Sequence, residues 1–367
     1  MSSKRTRRRF LEVTGAAGLA GLAGCSGNGN GGGNGNGGGN GNGDGNGNGD
    51  GNGNGDGNGN GGGNGNGGGN GNGGGNGDGN GGTENRLSWH AGGTGGTYYP
   101  LSNEFKTVVE ANTDFSLNVQ STGASVENVG SLADGSADFA LIQNDIASFA
   151  KNGTGIDAFQ DNPIENLQGV ATLYPETITL VTLAENDIST VGDLSGATIN
   201  TGDLGSGTQV NALQILESLG IEDFTEQNAG FSQASEQLAN GDIDAAFVVG
   251  GWPVGAIEDL ANTNDIEIVS IAGENRETVK ADASWFANDT IPAGTYSGVD
   301  EDVETVAVQA MIATHSDVPA DTVETVTAAI FDNLDELSIK TDFITADSAQ
   351  DGMSIELHDG AAAYFDA

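Results

Sequence analysis

The sequence of 367 residues has few of the residue types that build disulfides, metal centres and basic surfaces. It contains one Cys, three His and 11 Lys and Arg residues, against 52 Asp and Glu residues. One cysteine excludes a disulfide within the chain. His90, His315 and His358 are isolated from one another and from the cysteine, so we expect no metal site, no cofactor and no general base. The excess of acidic residues repels phosphate backbones and predicts that nucleic acid is not a partner.

The N-terminal residues 1–24 have the features of an export signal. The stretch TRRRFL, residues 6–11, resembles the twin-arginine motif, and the apolar run at 13–23 is too short to span a bilayer. The run ends in LAGC, which resembles the lipobox of lipoproteins. We therefore expect cleavage before Cys25, lipidation of Cys25 and a mature protein anchored to the outer face of the cell membrane. The alternative is an ordinary basic N-terminal helix that is not an export signal.

Residues 25–82 form a low-complexity segment that is almost entirely Gly and Asn from position 27 onward. Such a segment cannot bury enough apolar surface to offset the loss of backbone entropy, so the composition predicts disorder. A flexible tether between the anchored cysteine and a folded body fits this pattern. A role in assembly is the alternative, because Asn/Gly-rich tracts can associate.

Removal of residues 1–24 takes away five of the 11 basic and one of the 52 acidic residues, which leaves a formal charge of −45. The acidic residues are scattered along helices and loops and do not occur at metal-ligand spacing. This charge is typical of a halophilic protein, in which concentrated salt screens the repulsion between carboxylates.

Strand and helix patterns alternate from residue 84 onward, which predicts an α/β fold with a mainly parallel sheet. Leu87–His90 is a predicted strand, and Leu101, Phe105 and Val108 share one face of a predicted helix. Two stretches, LADGSADFA at 132–140 and LANGDIDAAF at 238–247, align with an offset of 106 residues. Each has the pattern of a helix end, a glycine stop and a buried strand. We therefore expect two similar lobes with a ligand cleft between them.

The stretch GGTGGTYYP at 92–100 predicts a glycine-rich turn that leads into a helix. Tyr98 and Tyr99 stand where a nucleotide-binding P-loop would have Lys and Ser or Thr, and Tyr98 also breaks the dinucleotide pattern GxGxxG. Backbone N–H groups at a helix start attract a small anion. The turn therefore predicts an anion site that is not a nucleotide site.

The residues do not favour an enzyme, because no P-loop, no Ser with a plausible His/Asp set and no distinctive acid pair is present. A surface adhesion module would explain the anchor and the tether. It would not explain two helix starts that are rich in hydrogen-bond donors.

Six motifs carry a resemblance to a known family. They are, in order, GGTGGTYYPLS, STGASVENVGSLADGSADFALIQND, VATLYPETITLV, VGDLSGATINTGDLGSGT, GDIDAAFVVGGWP and TIPAGTY. With them, residues 87 to about 334 resemble the TAXI family of solute-binding proteins, the extracytoplasmic receptors of TRAP transporters. The resemblance implies a two-lobed periplasmic-binding-protein fold of the class II type, with no enzymatic activity. It also implies a small carboxylate ligand such as glutamate or a dicarboxylate, delivered to the membrane permease.

Under this resemblance, lobe 1 is expected at 84–176 and lobe 2 at 177–282, with residues 283–367 returning to complete lobe 1. Alternatives are a receptor for another transport or sensing system and, least favoured, a cell-surface enzyme.

The expected ligand-binding residues lie in six stretches of the chain. They are Thr94, Gly95, Gly96, Thr97, Tyr98 and Tyr99; Thr122, Gly123, Ala124 and Ser125; Gln143, Asn144 and Asp145; Tyr174; Gly205, Ser206, Gly207 and Thr208; and Gly251, Trp252 and Pro253.

Among these, the hydroxyls of Thr97, Ser125 and Thr208 are expected to converge on a carboxylate, and Asp145 is a candidate partner of a ligand ammonium. Tyr174 fits a hinge as well as a ligand contact. The sequence departs from the family at two positions, where Ala124 replaces a frequent glycine and Trp252 a usual tyrosine. Loss of the tyrosine hydroxyl leaves the identity of the ligand open.

Overall fold

The computed structural model describes residues 85–367, so the export signal, the lipobox and the tether expected from the sequence lie outside the described residues. Strands and helices alternate through most of this part of the chain. The strands are β1 (Arg86–His90), β2 (Ser116–Gln120), β3 (Phe139–Gln143), β4 (Leu167–Leu183), β5 (Thr198–Asn200), β6 (Thr225–Gln227), β7 (Ala245–Gly250), β8 (Ile266–Val269), β9 (Ala287–Ile291) and β10 (Val303–His315). The helices are α1 (Tyr98–Asn112), α2 (Ser125–Asp134), α3 (Asn144–Asn152), α4 (Gly207–Ser218), α5 (Phe231–Asn240), α6 (Gly255–Ala261), α7 (Gly273–Asp282), α8 (Ala320–Phe331) and α9 (Asp359–Phe365).

The α/β class and the two-lobed organisation predicted from the sequence are confirmed, but the sheet is mixed and not mainly parallel, because β4 and β10 run antiparallel to their neighbours. Lobe 1 has the strand order β2-β1-β3-β10-β4, in which β1 is parallel to β2 and β3, and β10 runs antiparallel to β3 and β4. Lobe 2 has the order β4-β7-β5-β6, with β5 parallel to β6 and β7, while β8 pairs with β4 and β9 with β10. The long strands β4 and β10 pass through both lobes and join them.

Each lobe has its own apolar core, built by the faces that the sequence pattern marks. In lobe 1, Leu101, Phe105 and Val108 of α1 pack with Trp89 of β1, whose indole stacks on Phe139 at 5.5 Å between ring centroids. The buried side chains of β5, α4 and β7 form the corresponding core of lobe 2. Because the two cores are separate, the lobes meet along a seam between them.

The repeat with an offset of 106 residues corresponds to a repeated structural unit. Gly135 ends α2 and Gly241 ends α5, both with left-handed backbone, at φ 75° and 71°, as expected for helix stops. Asp138 and Asp244 follow. The carboxylate of Asp138 accepts a hydrogen bond from the Ser88 N–H of β1 at 2.6 Å, and that of Asp244 accepts one from the Thr198 N–H of β5 at 2.7 Å. The repeated aspartate therefore holds β1 in lobe 1 and β5 in lobe 2.

The C-terminal segment packs on lobe 1. Helix α8 lies against α1 and α9, and the Thr172 N–H of β4 donates to the Ala349 carbonyl at 2.7 Å. The carboxylate of Glu104 on α1 accepts hydrogen bonds from the N–H groups of Ser338 and Ile339. In residues 85–367, none of the helices has the length and apolar character needed to cross a bilayer.

Candidate functional site

A cavity lies between the lobes, where the starts of four helices meet. Its empty volume is about 540 Å³, including the open mouth. It is lined by Gly92, Gly93, Gly96, Thr97, Tyr98, Thr122, Gly123, Ala124, Ser125, Gln143, Glu176, Asp203, Ser206, Gly207, Thr208, Gly230, Phe231 and Val249. None of these described residues is Lys, Arg or His. An anion in this cavity must therefore be bound by N–H and hydroxyl groups at the helix starts.

The glycine turn before α1 is held tightly against lobe 2. A Cβ at Gly95 would overlap the Ser232 hydroxyl, and one at Gly96 would lie 3.3 Å from the Phe231 ring. The hydroxyl of Thr97 donates to the Gly251 carbonyl of lobe 2 at 3.1 Å. Glycine is required here by the close approach of the two lobes, and the Thr97 hydroxyl already has a partner.

Lobe 2 also supplies an acceptor to the start of α2. The N–H groups of Val126 and Glu127 both donate to the Gly205 carbonyl, at 3.2 and 3.3 Å, and Ser125 Oγ accepts from the Gln143 N–H at 3.1 Å. Ala124, which precedes the helix, has φ 73° and ψ −142°. A side chain is strained in this backbone region, which glycine adopts without such strain.

The start of α4 is capped within lobe 2. Ser206 is its N-cap, and the Ser206 Oγ accepts from the Gln209 N–H at 3.0 Å. Gly207 touches lobe 1 so closely that a Cβ would overlap Oε1 of Gln143. Thr208, next in the chain, is buried and lines the cavity. Of the three hydroxyls expected to converge, that of Thr208 makes no hydrogen bond within the described residues.

Glu176 is the buried acid of the cavity. It lies on β4, is 3% exposed, and its Oε2 accepts a hydrogen bond from the Tyr98 hydroxyl at 2.8 Å. Burial raises the pKa of Glu176 to about 8, against the opposing effect of the Tyr98 hydrogen bond. The side chain is therefore largely protonated at neutral pH. Gln143, beside the same cavity, has a buried Oε1 with no hydrogen-bond partner within the described residues.

Asp145 lies outside this cavity, on the seam between α3 and α4. Its Oδ2 accepts a hydrogen bond from Asn211 Nδ2 of lobe 2 at 2.8 Å, and burial raises the pKa of Asp145 to about 6. Asn144 is bound to the C-terminal segment, where its side chain donates to the Gly352 carbonyl at 2.7 Å. These two residues therefore connect parts of the fold and do not line the cleft cavity.

The turn at Gly251, Trp252 and Pro253 also lies outside the lining, together with Tyr174. Lys340 of the C-terminal segment reaches this turn, where its ammonium donates to the Trp252 carbonyl and lies 5.3 Å from the centroid of the Trp252 ring. Burial lowers the pKa of Lys340 to about 8. A Cβ at Gly251 would come within 2.8 Å of the Tyr174 ring. This group fastens the C-terminal segment to lobe 2.

The structure thus brings together just over half of the residues expected in the site. Those that line the cavity are Gly96, Thr97, Tyr98, Thr122, Gly123, Ala124, Ser125, Gln143, Ser206, Gly207 and Thr208. Those that do not are Thr94, Gly95, Tyr99, Asn144, Asp145, Tyr174, Gly205, Gly251, Trp252 and Pro253.

Sequence reasoning missed Glu176, Asp203, Val249 and the start of α5 at Gly230 and Phe231. The internal repeat predicts Gly230 and Phe231 as site residues, because an offset of 106 residues aligns them with Ala124 and Ser125.

A model of the NMT1-like family matches residues 90–366. Similar solved structures include MatC from Rhodopseudomonas palustris with bound malate, which is 14% identical, covers 68% of this chain and 85% of its own, and has a TM-score of 0.49. The periplasmic binding protein BugD is 9% identical; the match covers 71% of this chain and 85% of BugD, also with a TM-score of 0.49. A TctC solute-binding protein from Polaromonas is 15% identical, covers 67% and 83%, and has a TM-score of 0.40. These identities are too low to transfer a ligand to this chain.

Proposed function

This chain belongs to the NMT1-like family, and we propose that it is an extracytoplasmic solute receptor of a TRAP transporter of the TAXI type. It binds a small carboxylate in the cleft and delivers the ligand to the membrane permease. Residues 1–24 direct export, lipidated Cys25 anchors the protein to the outer face of the membrane, and residues 25–82 form the tether. The lobes follow at 84–176 and 177–282, and residues 283–367 complete lobe 1.

One observation carries this proposal. The cleft cavity is lined by the starts of α1 and α2 from lobe 1 and of α4 and α5 from lobe 2, without a basic side chain among the described lining residues. Each of these helices has ten or more residues, so its N-terminus carries a positive partial charge. Donors from both lobes can hold one carboxylate and release it when the lobes separate.

The acceptors in the cavity favour an amino acid such as glutamate over a dicarboxylate. Glu176 and the unpartnered Oε1 of Gln143 lie beside the donors and can accept hydrogen bonds from a ligand ammonium. A second ligand carboxylate, in glutamate as in a dicarboxylate, would also have to be bound by N–H and hydroxyl groups, because the described lining residues include no cationic side chain.

Thr208→Val tests the cleft with a nearly isosteric change. Loss of a hydrogen bond to a ligand carboxylate costs about 1.5–3 kcal/mol, so affinity should fall about ten- to a hundredfold while the melting temperature stays unchanged. Calorimetry of both proteins against glutamate, 2-oxoglutarate, succinate and neutral sugars measures this.

The matched control is Thr325→Val on the exposed face of α8, which should bind like the wild type. Binding of sugars without any response to acids would contradict the carboxylate assignment. Chemical conversion of the bound acid would contradict the receptor assignment.

A further inference from the structure

A second cavity lies on the seam, behind the Asn211–Asp145 hydrogen bond. Its empty volume is about 690 Å³, including its mouth. Lobe 1 contributes Asp145 and Ser148 of α3, the segment after α7 contributes Ser284 and Trp285, and β10 contributes Gln309. Phe149 and Trp285 meet across the seam with ring centroids 4.8 Å apart. The cavity is therefore built by α3, the segment after α7 and β10, and it is distinct from the cleft lined by the helix starts.

The carboxylate of Asp145 is the one charged group in the described lining of this cavity. The residue is 3% exposed, and its Oδ1 has no hydrogen-bond partner within the described residues. No ion pair of the described part of the chain includes Asp145. A buried carboxylate without a counter-charge is costly, and a cation bound beside Asp145 would offset this cost.

The other polar groups of the lining suit a hard cation. Ser148 lies one turn along α3 from Asp145, and Ser284 and Gln309 add a hydroxyl and an amide oxygen from other elements. Oxygen ligands are those that alkali and alkaline-earth cations prefer. Within residues 85–367, no group of three or more His, Cys, Asp or Glu side chains is placed to hold a metal ion. One carboxylate among neutral oxygens matches a single positive charge.

We propose that this seam cavity binds a monovalent metal cation, sodium or potassium, on the carboxylate of Asp145. The hydroxyls of Ser148 and Ser284 and the amide of Gln309 supply further oxygens. Because these ligands come from α3, from the segment after α7 and from β10, the bound cation stabilises the contact between these elements. This site does not depend on the identity, or the presence, of a ligand in the cleft.

Thermal unfolding at pH 8, without any organic ligand, tests the proposal. Melts are compared in sodium chloride, potassium chloride and choline chloride at the same concentration, so that general screening by salt is equal. The wild type should melt about 5 °C higher in sodium or potassium chloride than in choline chloride. Asp145→Asn should lose this difference, whereas Asp335→Asn, which removes one exposed charge, should keep it.

Equal midpoints in the three salts, or a cation preference that Asp145→Asn keeps, would overturn the proposal. The ²³Na resonance of the wild type gives a measurement that does not need a folded variant. Bound sodium should broaden the line, and potassium but not choline should restore it. A line that stays sharp, or that choline restores equally well, would likewise overturn the proposal, whatever the cleft binds.

Discussion

The two lobes share one plan, but their helix starts are completed in different ways. In lobe 2, α4 is capped by its own Ser206. In lobe 1, the first N–H groups of α2 donate to the Gly205 carbonyl of lobe 2, and the Thr97 hydroxyl before α1 donates to the Gly251 carbonyl. The start of α4 is therefore capped within lobe 2, whereas the starts of α1 and α2 obtain hydrogen-bond partners from across the seam.

The buried acids differ in the same direction. Glu176 and Asp145 lie at the edge of lobe 1 and are both 3% exposed, whereas Asp203, the acid that lobe 2 contributes to the cavity, is exposed. Burial disfavours ionised carboxylates, so lobe 1 carries the groups whose charge responds to pH and to a bound cation or ammonium. Lobe 2 supplies neutral donors.

The largest expected effect comes from breaking the contact between the lobes at Gly207. Gly207→Ala places a Cβ against Oε1 of Gln143, so the buried Gln143 side chain must leave its present position beside the cavity. We expect ligand affinity to fall more than a hundredfold, measured by calorimetry with the acids named above. Gly130→Ala is the matched control, because nothing lies within 4 Å of a Cβ at that helical position of lobe 1. Equal affinity in both variants would show that ligand binding does not require this contact.

A second prediction concerns the pH dependence that lobe 1 acquires from Glu176. The pKa of this group is about 8 in the folded protein and about 4.5 in the unfolded chain. Since the folded state holds the proton more tightly, the stability that Glu176 contributes is complete below pH 4.5 and is lost as the pH rises through 8.

Melting temperatures of the wild type and Glu176→Gln between pH 5 and 9 measure this effect. The wild type should lose stability relative to the variant over this range. Glu258→Gln, at an exposed position of lobe 2, should follow the wild type. A constant difference between the wild type and Glu176→Gln would contradict the prediction.

The smallest effect is expected at Ala124, where lobe 1 has a strained residue. Its repeat partner in lobe 2, Gly230, has φ −66° and no such strain. Ala124→Gly should raise the free energy of unfolding by about 1 kcal/mol, because relief of a strained backbone outweighs the added entropy of the unfolded chain. Ala133→Gly, within α2, should lower it by about 0.5–1 kcal/mol. Denaturant unfolding of both variants measures these opposite changes in the free energy of unfolding. A loss of stability in Ala124→Gly would show that the backbone at Ala124 is not strained.

Local pattern was enough to predict the lobes and the places where their helices begin and end. The faces of α1 and α2, the left-handed stops at Gly135 and Gly241 and the repeated aspartates depend on residues within one or two turns of one another. Their spacing shows in the sequence because helix and strand geometry repeats.

Local sequence did not predict which of the candidate residues line the cavity and which make other contacts. Thr97 and Thr208 both line the cavity, yet the Thr97 hydroxyl donates to the Gly251 carbonyl, 154 positions away, whereas the Thr208 hydroxyl has no partner within the described residues. Glu176 is buried against Tyr98, which lies 78 positions away in the chain. No nearby residue indicates that Tyr98 would cover it.

The sequence alone therefore determined the α/β class, the two-lobed plan and the donor-rich helix starts, because these follow from short-range periodicity and turn chemistry. Tertiary structure decided which donors remain available, which acids are buried, and that Lys340 serves the turn at Trp252 and does not serve the cleft. The physical reason is that burial and hydrogen-bond pairing depend on which distant segments come together. A carboxylate acquires its charge behaviour from that environment and not from its neighbours in the chain.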